Sequence, residues 1–295
     1  MQWRAYIKGT VKEREPLKRH TTFRIGGPAK IFAEPQDEAD LKMLLRLAKR
    51  GKITCLLLGA GSNILASDRG VNAAVIRLSS AAFTKISVSG SRMRVGAGCA
   101  LRRAIALSHK YGLAGLECLA GIPGTVGAAL VGNAGQGKAG GWIGDTVESV
   151  RVMDRAGRIR TLPRQRLRFG YRCSGLDGYI VLEACLRLHK GSPQKIRQKI
   201  RQALVMRKAT LGISLPNAGC VFKNPASEPA GKLIELCGLK GRRSGGACVC
   251  SRHANFIVNT GGARSRDVRR LMDVIKKKVK EKFNVSLRPE IKIWN

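Results

Sequence analysis

The chain has 295 residues, of which 44% are hydrophobic and 25% are charged. That is enough for a buried core and predicts two to three domains at about 100–150 residues each. No stretch approaches the ~18 consecutive apolar residues of a membrane span, and the first residues lack the apolar core and cleavage site of a signal peptide. The sequence thus argues against membrane insertion and predicts a soluble, cytoplasmic protein.

The nine cysteines and 55 basic residues narrow the possible classes of protein further. The cysteine count is odd and no C-x-x-C pair occurs, so we expect neither a disulfide framework nor a metal site. The formal net charge of +36 invites a nucleic-acid hypothesis, because a basic face binds phosphate backbones. However, the basic residues are spread along the chain and only 5% of residues are aromatic, which leaves few stacking platforms. We expect no specific nucleic-acid partner, while the positive field favours ligands that carry phosphates.

The first half of the chain alternates helical and strand patterns. A helix is predicted after Pro35, with its end at Gly51. A short apolar run over 53–58 predicts a buried strand, a second strand is expected over 74–78, and a hairpin over 86–95. A helix over about 101–111 completes this half.

The segment over 112–144 is rich in glycine and predicted to be irregular, and long ordered loops of this kind are usually functional. The predicted elements after it are a hairpin over 150–162, a strand over 180–188, a helix near 196–204, a loop over 217–224, a short helix near 233–237, a strand over 256–258 and an amphipathic helix over 268–283. This mixture predicts an α+β protein built from several small units and not a regular doubly wound sheet.

Two glycine-rich loops are candidates for binding phosphate. The first follows a buried strand and consists of Gly59, Ala60, Gly61, Ser62 and Asn63. Its glycines permit positive φ and close approach of backbone amides to a pyrophosphate, and its polar side chains add donors. The loop does not match the Rossmann fingerprint, because neither a helical pattern nor a ribose-binding acid follows it at the required distance. A tight structural turn remains the alternative.

The second glycine-rich loop contains Gly121, Ile122, Pro123, Gly124, Thr125, Gly127 and Ala128. A proline and three glycines fix an unusual backbone that suits a phosphate or a flat ring. A turn between domains is the alternative. Two such loops in one chain indicate a dinucleotide ligand more strongly than either loop does alone.

Together with other segments, these loops resemble the UDP-N-acetylenolpyruvoylglucosamine reductase family over nearly the whole chain, in its shorter subclass without an inserted tyrosine loop. The matching segments are 20–29, 58–63, 121–127, 169–172, 217–225, 253–259 and 287–290. The resemblance implies the FAD-binding fold of the vanillyl-alcohol-oxidase (PCMH) type. It implies two FAD-binding subdomains, over 1–79 and 80–192, and a C-terminal α+β substrate-binding domain over 193–295.

The resemblance further implies an NADPH-dependent flavoenzyme of peptidoglycan synthesis. Separately, we expect a monomer. NADPH reduces non-covalently bound FAD, and flavin N5 then passes hydride to the enolpyruvyl ether of UDP-N-acetylglucosamine enolpyruvate, which becomes UDP-N-acetylmuramate. The expected partners are therefore the UDP-sugar and NADPH. Beyond the glycine loops, the cofactor contacts implied are Arg24 and Ile180.

Three residues match the family's chemistry positions. Hydride addition next to a carboxylate builds negative charge there, so the site needs a cation and a proton donor. Arg172 supplies a guanidinium fork for the carboxylate, and Glu290 stabilises the enolate-like intermediate. The family usually has serine where this chain has Cys220, and a thiol is a better acid than an alcohol. The alternatives are ordinary ion pairs for Arg172 and Glu290 and simple packing for Cys220.

The remaining matches are substrate positions, namely Tyr171, Lys223, Asn224 and His253, and a structural histidine at 253 is equally compatible with the pattern. Two other functions stay open at this point. One is a different oxidoreductase on the same flavin fold, and the other is an inactive, basic nucleic-acid-binding relic. The joint presence of Arg172, Cys220 and Glu290 favours the reductase over both.

Overall fold

The structure, a computed structural model, describes residues 3–137, 140–210 and 212–295. The chain divides into two compact units. Unit 1 comprises Met1–Lys12, Ile31–Gly59 and Ala73–Arg207, and unit 2 comprises Glu13–Lys30, Ala60–Asn72 and Lys208–Asn295. Each unit has its own hydrophobic core. The three-part division expected from the sequence stays a prediction.

The elements are labelled in chain order. The helices are α1 (Glu38–Arg50), α2 (Ala81–Thr84), α3 (Leu101–Lys110), α4 (Val126–Val131), α5 (Pro193–Thr210), α6 (Ala230–Leu236) and α7 (Ser265–Phe283). The strands are β1 (Thr10–Pro16), β2 (Pro28–Glu34), β3 (Thr54–Leu57), β4 (Ile64–Ala66), β5 (Val71–Ile76), β6 (Ile86–Ser89), β7 (Arg92–Gly96), β8 (Leu113–Ala114), β9 (Gly135–Gly137), β10 (Gly141–Trp142), β11 (Val147–Met153), β12 (Ile159–Pro163), β13 (Ile180–Arg187), β14 (His189–Lys190), β15 (Asn217–Cys220), β16 (Arg243–Ser244), β17 (Ala247–Val249), β18 (Phe256–Asn259) and β19 (Lys292–Trp294).

Helix α1 of unit 1 forms where its apolar spacing predicted it. The Asp37 carboxylate accepts a hydrogen bond of 2.8 Å from the backbone N–H of Asp40, which caps the first turn. Leu41 and Leu44 on the inner face are fully buried. Gly51 ends the helix, its N–H bonded to the Leu47 oxygen at 2.9 Å. Capping and one apolar stripe therefore explain the helix.

An antiparallel sheet of order β12-β11-β13-β7-β6 forms the centre of unit 1. The two hairpins predicted from alternating residues, β6-β7 and β11-β12, are its two edges. In the interior, Val150 pairs with Ala184 and Leu186 pairs with Met93. All four side chains are buried at 1% exposure or less, so the sheet contributes directly to the core of the unit.

The segment over 112–144 is more regular than predicted, because it contains α4. Thr125 caps this helix, with its hydroxyl oxygen 3.4 Å from the N–H of Ala128. The first turns bury Val126 and Leu130 completely. The glycine between them obscured the helical spacing in the sequence, but close packing stabilises the short helix despite its weak intrinsic propensity.

Unit 2 contains an antiparallel sheet of order β15-β18-β17-β16 and a parallel pair of β4 and β19. Helix α7 buries Val268, Leu271 and Ile275 in the core of this unit. The carboxylate of Asp68 accepts hydrogen bonds of 2.8 Å from both the N–H and the hydroxyl of Ser265. Asp68 thus caps the start of α7 from a distant part of the chain.

Three observations concern what the fold does not contain. Within the described ranges, no helix combines the length and the apolar character needed to cross a bilayer. The same residues include no group of three or more potential ligands placed to hold a metal ion. All nine cysteines lie in the described part of the chain, and all nine are thiols.

Candidate active site

The first glycine loop, residues 59–63, is held by close backbone contacts. Gly61 has a φ of +67°, and a Cβ there would lie 2.0 Å from the backbone oxygen of His20. The N–H of Thr22 donates to the Gly61 oxygen at 3.1 Å. Both the conformation and the approach of His20 therefore require glycine at 61.

Within unit 1, Gly59, the first residue of the first glycine loop, lies against the second glycine loop. A Cβ at Gly59 would lie 2.8 Å from the hydroxyl oxygen of Thr125 and 3.1 Å from the Cβ of Ala128. Ala60 and Ala128 are exposed. That both loops serve one ligand stays a prediction.

The residues of the second glycine loop differ in backbone conformation, packing and exposure. Gly121 and Gly124 have φ values of +78° and +152°, which only glycine adopts without strain. The N–H of Gly127 donates to the Ala97 oxygen at 2.8 Å, and a Cβ at Gly127 would lie 2.8 Å from that of Ala97. Gly127 therefore packs against the protein's own backbone. Ile122 is half-buried and Pro123 is exposed.

Cys220 ends β15 in unit 2, where it lies opposite Phe256 of β18. Its half-buried side chain packs with Cys248, Cys250, Phe256 and Val258. The preceding Gly219 has a φ of +79°, and a Cβ there would lie 3.8 Å from the backbone oxygen of Ser62. The strand that carries Cys220 therefore lies next to the first glycine loop.

Glu290 is fixed beside the same strand. Its N–H donates to the oxygen of Val221 at 2.8 Å, and its own backbone oxygen accepts a 3.2 Å bond from the side-chain amide of Asn63. The hydroxyl of Thr22 lies 2.7 Å from the Asn217 oxygen and 3.3 Å from the Gly61 oxygen. Unit 2 thus gathers Cys220, Glu290 and most of the first loop.

The buried side-chain amide of Asn255, to which the sequence assigned no role, supports this strand. The Oδ1 of Asn255 accepts from the Phe222 N–H at 2.9 Å, and its Nδ2 donates to the Phe222 oxygen at 2.8 Å. Asn255 is 2% exposed. The pairing fixes the backbone two residues beyond Cys220, and only its place in the 253–259 match pointed to it.

The predicted substrate residues of unit 2 have distinct surroundings. The backbone N–H of Lys223 donates to the Arg288 oxygen at 2.9 Å, and the Asn224 side chain accepts from the Ala230 N–H at 3.0 Å at the start of α6. The Nδ1 of His253 accepts from the Asn255 N–H at 3.2 Å. Burial lowers the pKa of His253 below its ordinary value, and Lys240 adds to this effect. Its surroundings therefore favour the neutral imidazole.

In unit 1, Arg172 forms a cluster with two aromatic rings. The guanidinium carbon lies 5.5 Å from the ring centre of Tyr171 and 5.9 Å from that of Trp142. The two rings meet edge to face with 6.1 Å between centres. Such stacking helps to fix the plane of a guanidinium. The sequence predicted Tyr171 but missed Trp142, which lies outside the segments that resemble the family.

Two further predicted cofactor residues, Arg24 and Ile180, differ in exposure. Arg24 is exposed in unit 2 with a φ of +55°. Ile180 is 1% exposed and pairs with Met153 in the sheet of unit 1, so its side chain belongs to that core. Their cofactor contacts stay predictions.

Comparison with known proteins first defines the class. A family model described as "FAD binding domain" matches residues 29–163, the range that contains both glycine loops. The chain is therefore an FAD-binding oxidoreductase, a flavoprotein. A second model, described as the C-terminal domain of UDP-N-acetylenolpyruvoylglucosamine reductase, matches residues 211–294, where Cys220 and Glu290 lie.

Whole-chain similarity identifies the family. The chain is 45% identical over 97% of its length to UDP-N-acetylenolpyruvoylglucosamine reductase 2 of Symbiobacterium thermophilum, covering 92% of that protein. It is 43% identical over 96% of its length to the reductase of Syntrophobacter fumaroxidans, covering 83% of it. The chain belongs to the UDP-N-acetylenolpyruvoylglucosamine reductase family, whose reaction is part of peptidoglycan synthesis.

A solved structure agrees with this assignment. The crystal structure of UDP-N-acetylenolpyruvylglucosamine reductase from Thermus caldophilus matches with a TM-score of 0.84 and 36% identity, covering 97% of this chain and all of that one. The predicted family and FAD-binding α+β fold are confirmed.

Proposed function

We propose that this chain uses NADPH to reduce UDP-N-acetylglucosamine enolpyruvate to UDP-N-acetylmuramate. Membership of the reductase family supports this reaction. The observation that carries it is the placement of Cys220, Glu290 and residues 61–63 side by side in unit 2, since the N–H of Glu290 bonds to Val221 at 2.8 Å. An acid, a charge-stabilising carboxyl group and a glycine loop are what the second half of the reaction needs.

The glycine loops fit FAD. A Cβ at position 59 or 61 would strike Thr125 or His20, so both positions need glycine, and a loop without these side chains can bring backbone close to a phosphate. Gly59 and residues 121–125 in unit 1 would contact FAD, and residues 60–63 in unit 2 are likewise proposed cofactor contacts. Bound FAD supplies the hydride that the reaction adds to the methylene carbon of the substrate.

Arg172 binds the carboxylate of the enolpyruvyl group in this proposal. Hydride addition places negative charge on that carboxylate, and a guanidinium offers two parallel donors to it. The rings of Trp142 and Tyr171 hold the guanidinium plane, so little reorientation is needed as charge develops. Glu290 stabilises the same enolate-like species.

Cys220 donates the proton. The carbon next to the carboxylate carries the electron pair after hydride addition, and it takes the proton from the Sγ of Cys220. The resulting thiolate regains a proton from water. The net change is one hydride and one proton added across the double bond. Lys223, Asn224, His253 and Tyr171 contact the UDP-sugar, and the enzyme acts as a cytoplasmic monomer.

A turnover assay tests the proposal. Purified protein with added FAD should consume NADPH catalytically, beyond one equivalent per flavin, only when the UDP-sugar enolpyruvate is present, and mass spectrometry should find a product heavier by two hydrogens. NADH in place of NADPH is the control for the donor. Consumption of NADPH with oxygen alone, at a rate that the UDP-sugar does not raise, would instead favour another oxidoreductase on this fold.

A further inference from the structure

The turn that carries Arg172 has a backbone conformation that needs support. Arg172 has a φ of +53°, which a residue with a Cβ rarely adopts. Gly170 and Cys173 close the turn through two backbone hydrogen bonds, of 2.9 Å from the Gly170 N–H and 3.2 Å from the Cys173 N–H. Two bonds within an exposed turn do not by themselves fix its orientation on the protein.

A buried amide supplies that support. Asn133 is 3% exposed. Its Nδ2 donates to the oxygen of Gly170 at 2.9 Å, and its Oδ1 accepts from the N–H of Gly144 at 3.1 Å. One side chain therefore joins the turn to the segment that follows Trp142, the ring on which Arg172 stacks. Asparagine also tolerates the positive φ of +41° at this position.

A second contact anchors the far end of the turn to the same region. The hydroxyl of Ser174, a fully buried residue, donates to the oxygen of Val131 at 2.9 Å. Val131 ends α4, two residues before Asn133. The turn is therefore attached at both ends to the end of α4 and the residues after it.

We infer that Asn133 is a positioning residue for Arg172. Its amide holds the turn of residues 170–173 so that the guanidinium stays against Trp142 and Tyr171, in the orientation that receives the substrate carboxylate. The inference rests on the proposed function for the role of Arg172. It assigns no chemistry to Asn133 itself.

Two variants test the side-chain amide of Asn133 separately from the backbone conformation at this position. Asn133→Gly removes the side chain and keeps the positive φ free of strain. Asn133→Asp retains the acceptor for Gly144 but loses the donor to Gly170. Both should slow reoxidation of reduced flavin by the UDP-sugar by on the order of 10²-fold, since small misplacement of a catalytic group has such an effect. Flavin reduction by NADPH should stay near the parent rate, as in the control Ser108→Ala, which loses a buried 2.8 Å hydrogen bond to Ile105 elsewhere in unit 1.

Two further measurements distinguish positioning from general stability. In an Arg172→Ala background, Asn133→Gly should slow reoxidation no further, because the two residues act through one group. Hydrogen exchange of the peptide over 169–176 should be roughly tenfold faster in Asn133→Gly and unchanged in Ser108→Ala.

Several results would overturn the inference. They are parent-like reoxidation in Asn133→Gly, additive effects in the double variant, or unchanged exchange over 169–176. If the parent enzyme itself is not reoxidised by the UDP-sugar, the proposed function is wrong, and the exchange measurement alone decides whether Asn133 holds the turn.

Discussion

The side-chain amide of Asn63 donates a 3.2 Å hydrogen bond to the backbone oxygen of Glu290. The contact is reinforced on the other side, where the Lys292 N–H donates to the Asn63 oxygen at 2.9 Å and β19 continues in parallel along β4. The first glycine loop, proposed to bind the cofactor, and Glu290, proposed to stabilise the reacting substrate, are therefore held by the same hydrogen bonds of Asn63. Changes in the first glycine loop should affect both halves of the reaction.

Gly61→Ala should abolish FAD retention and destabilise the protein. The substitution adds the strain of a φ of +67° and a contact of 2.0 Å with the His20 oxygen. Gly90→Ala is the matched control, because Gly90 has a φ of +58° and no atom within 4 Å of the added Cβ. Strain alone costs about 1–2 kcal/mol, so thermal unfolding and flavin absorbance should show a mild loss for Gly90→Ala and a much larger one for Gly61→Ala. Equal losses would mean that the His20 contact relaxes easily.

Cys220→Ser and Cys220→Ala should separate proton donation from packing. The serine variant should keep substantial turnover, because its hydroxyl occupies the place of the thiol. The alanine variant should reduce its flavin with NADPH nearly as fast as the parent but reoxidise it on the order of 10²-fold more slowly, as expected for loss of a positioned acid. Stopped-flow absorbance of the flavin measures both steps.

Cys237→Ala serves as the control, since Cys237 packs against the core of unit 2 and lies outside the motifs that contain Cys220 and Glu290. If Cys220→Ala reoxidises as fast as the parent, Cys220 only packs, and a water molecule held by Glu290 becomes the first candidate for the donor.

Protonation of His253 should destabilise the protein in mildly acidic solution. Burial lowers the pKa of this imidazole below the ordinary value of 6.5. Below about pH 6.5, the imidazole therefore binds a proton more readily in the unfolded state than in the folded state. The free energy of unfolding should then fall with pH from about 6.5 downward and be unaffected by this group above it. In His253→Gln this part of the fall should be missing. Denaturant unfolding at pH 7.5, 6.5 and 5.5 makes the comparison, and parallel curves for the two proteins would contradict it.

Alkylation should distinguish the exposed thiols from the buried ones. Burial, with repulsion from Glu117 and Asp145, raises the pKa of Cys118 to about 11, which leaves on the order of 0.1% thiolate at pH 8. Cys173 is exposed and should react with iodoacetamide first, as mapped by mass spectrometry over time. Modification of Cys118 at a similar rate would show that its surroundings open in solution.

The sequence determined the elements that depend on neighbours along the chain. The apolar stripe of α1 with its Asp37 cap, the alternating hairpins of unit 1 and the long α7 all lie where their patterns predicted them. The motifs around Cys220, Glu290 and the glycine loops identified the family. Helix α4 was missed, because six residues with an internal glycine carry too little periodicity for the pattern to show.

The tertiary structure alone decided which distant residues meet. Thr22 reaches Asn217 across 195 positions, and Asn63 reaches Glu290 across 227. The division into two units, each built from separate segments of the chain, and the clamp of Asn133 on Gly170 likewise have no local signature. The physical reason is that spacing along the chain reports helix and strand periods, whereas the partner of a buried polar group is set by which segments pack together. The need to satisfy such a group is general, but its partner is visible only in the fold.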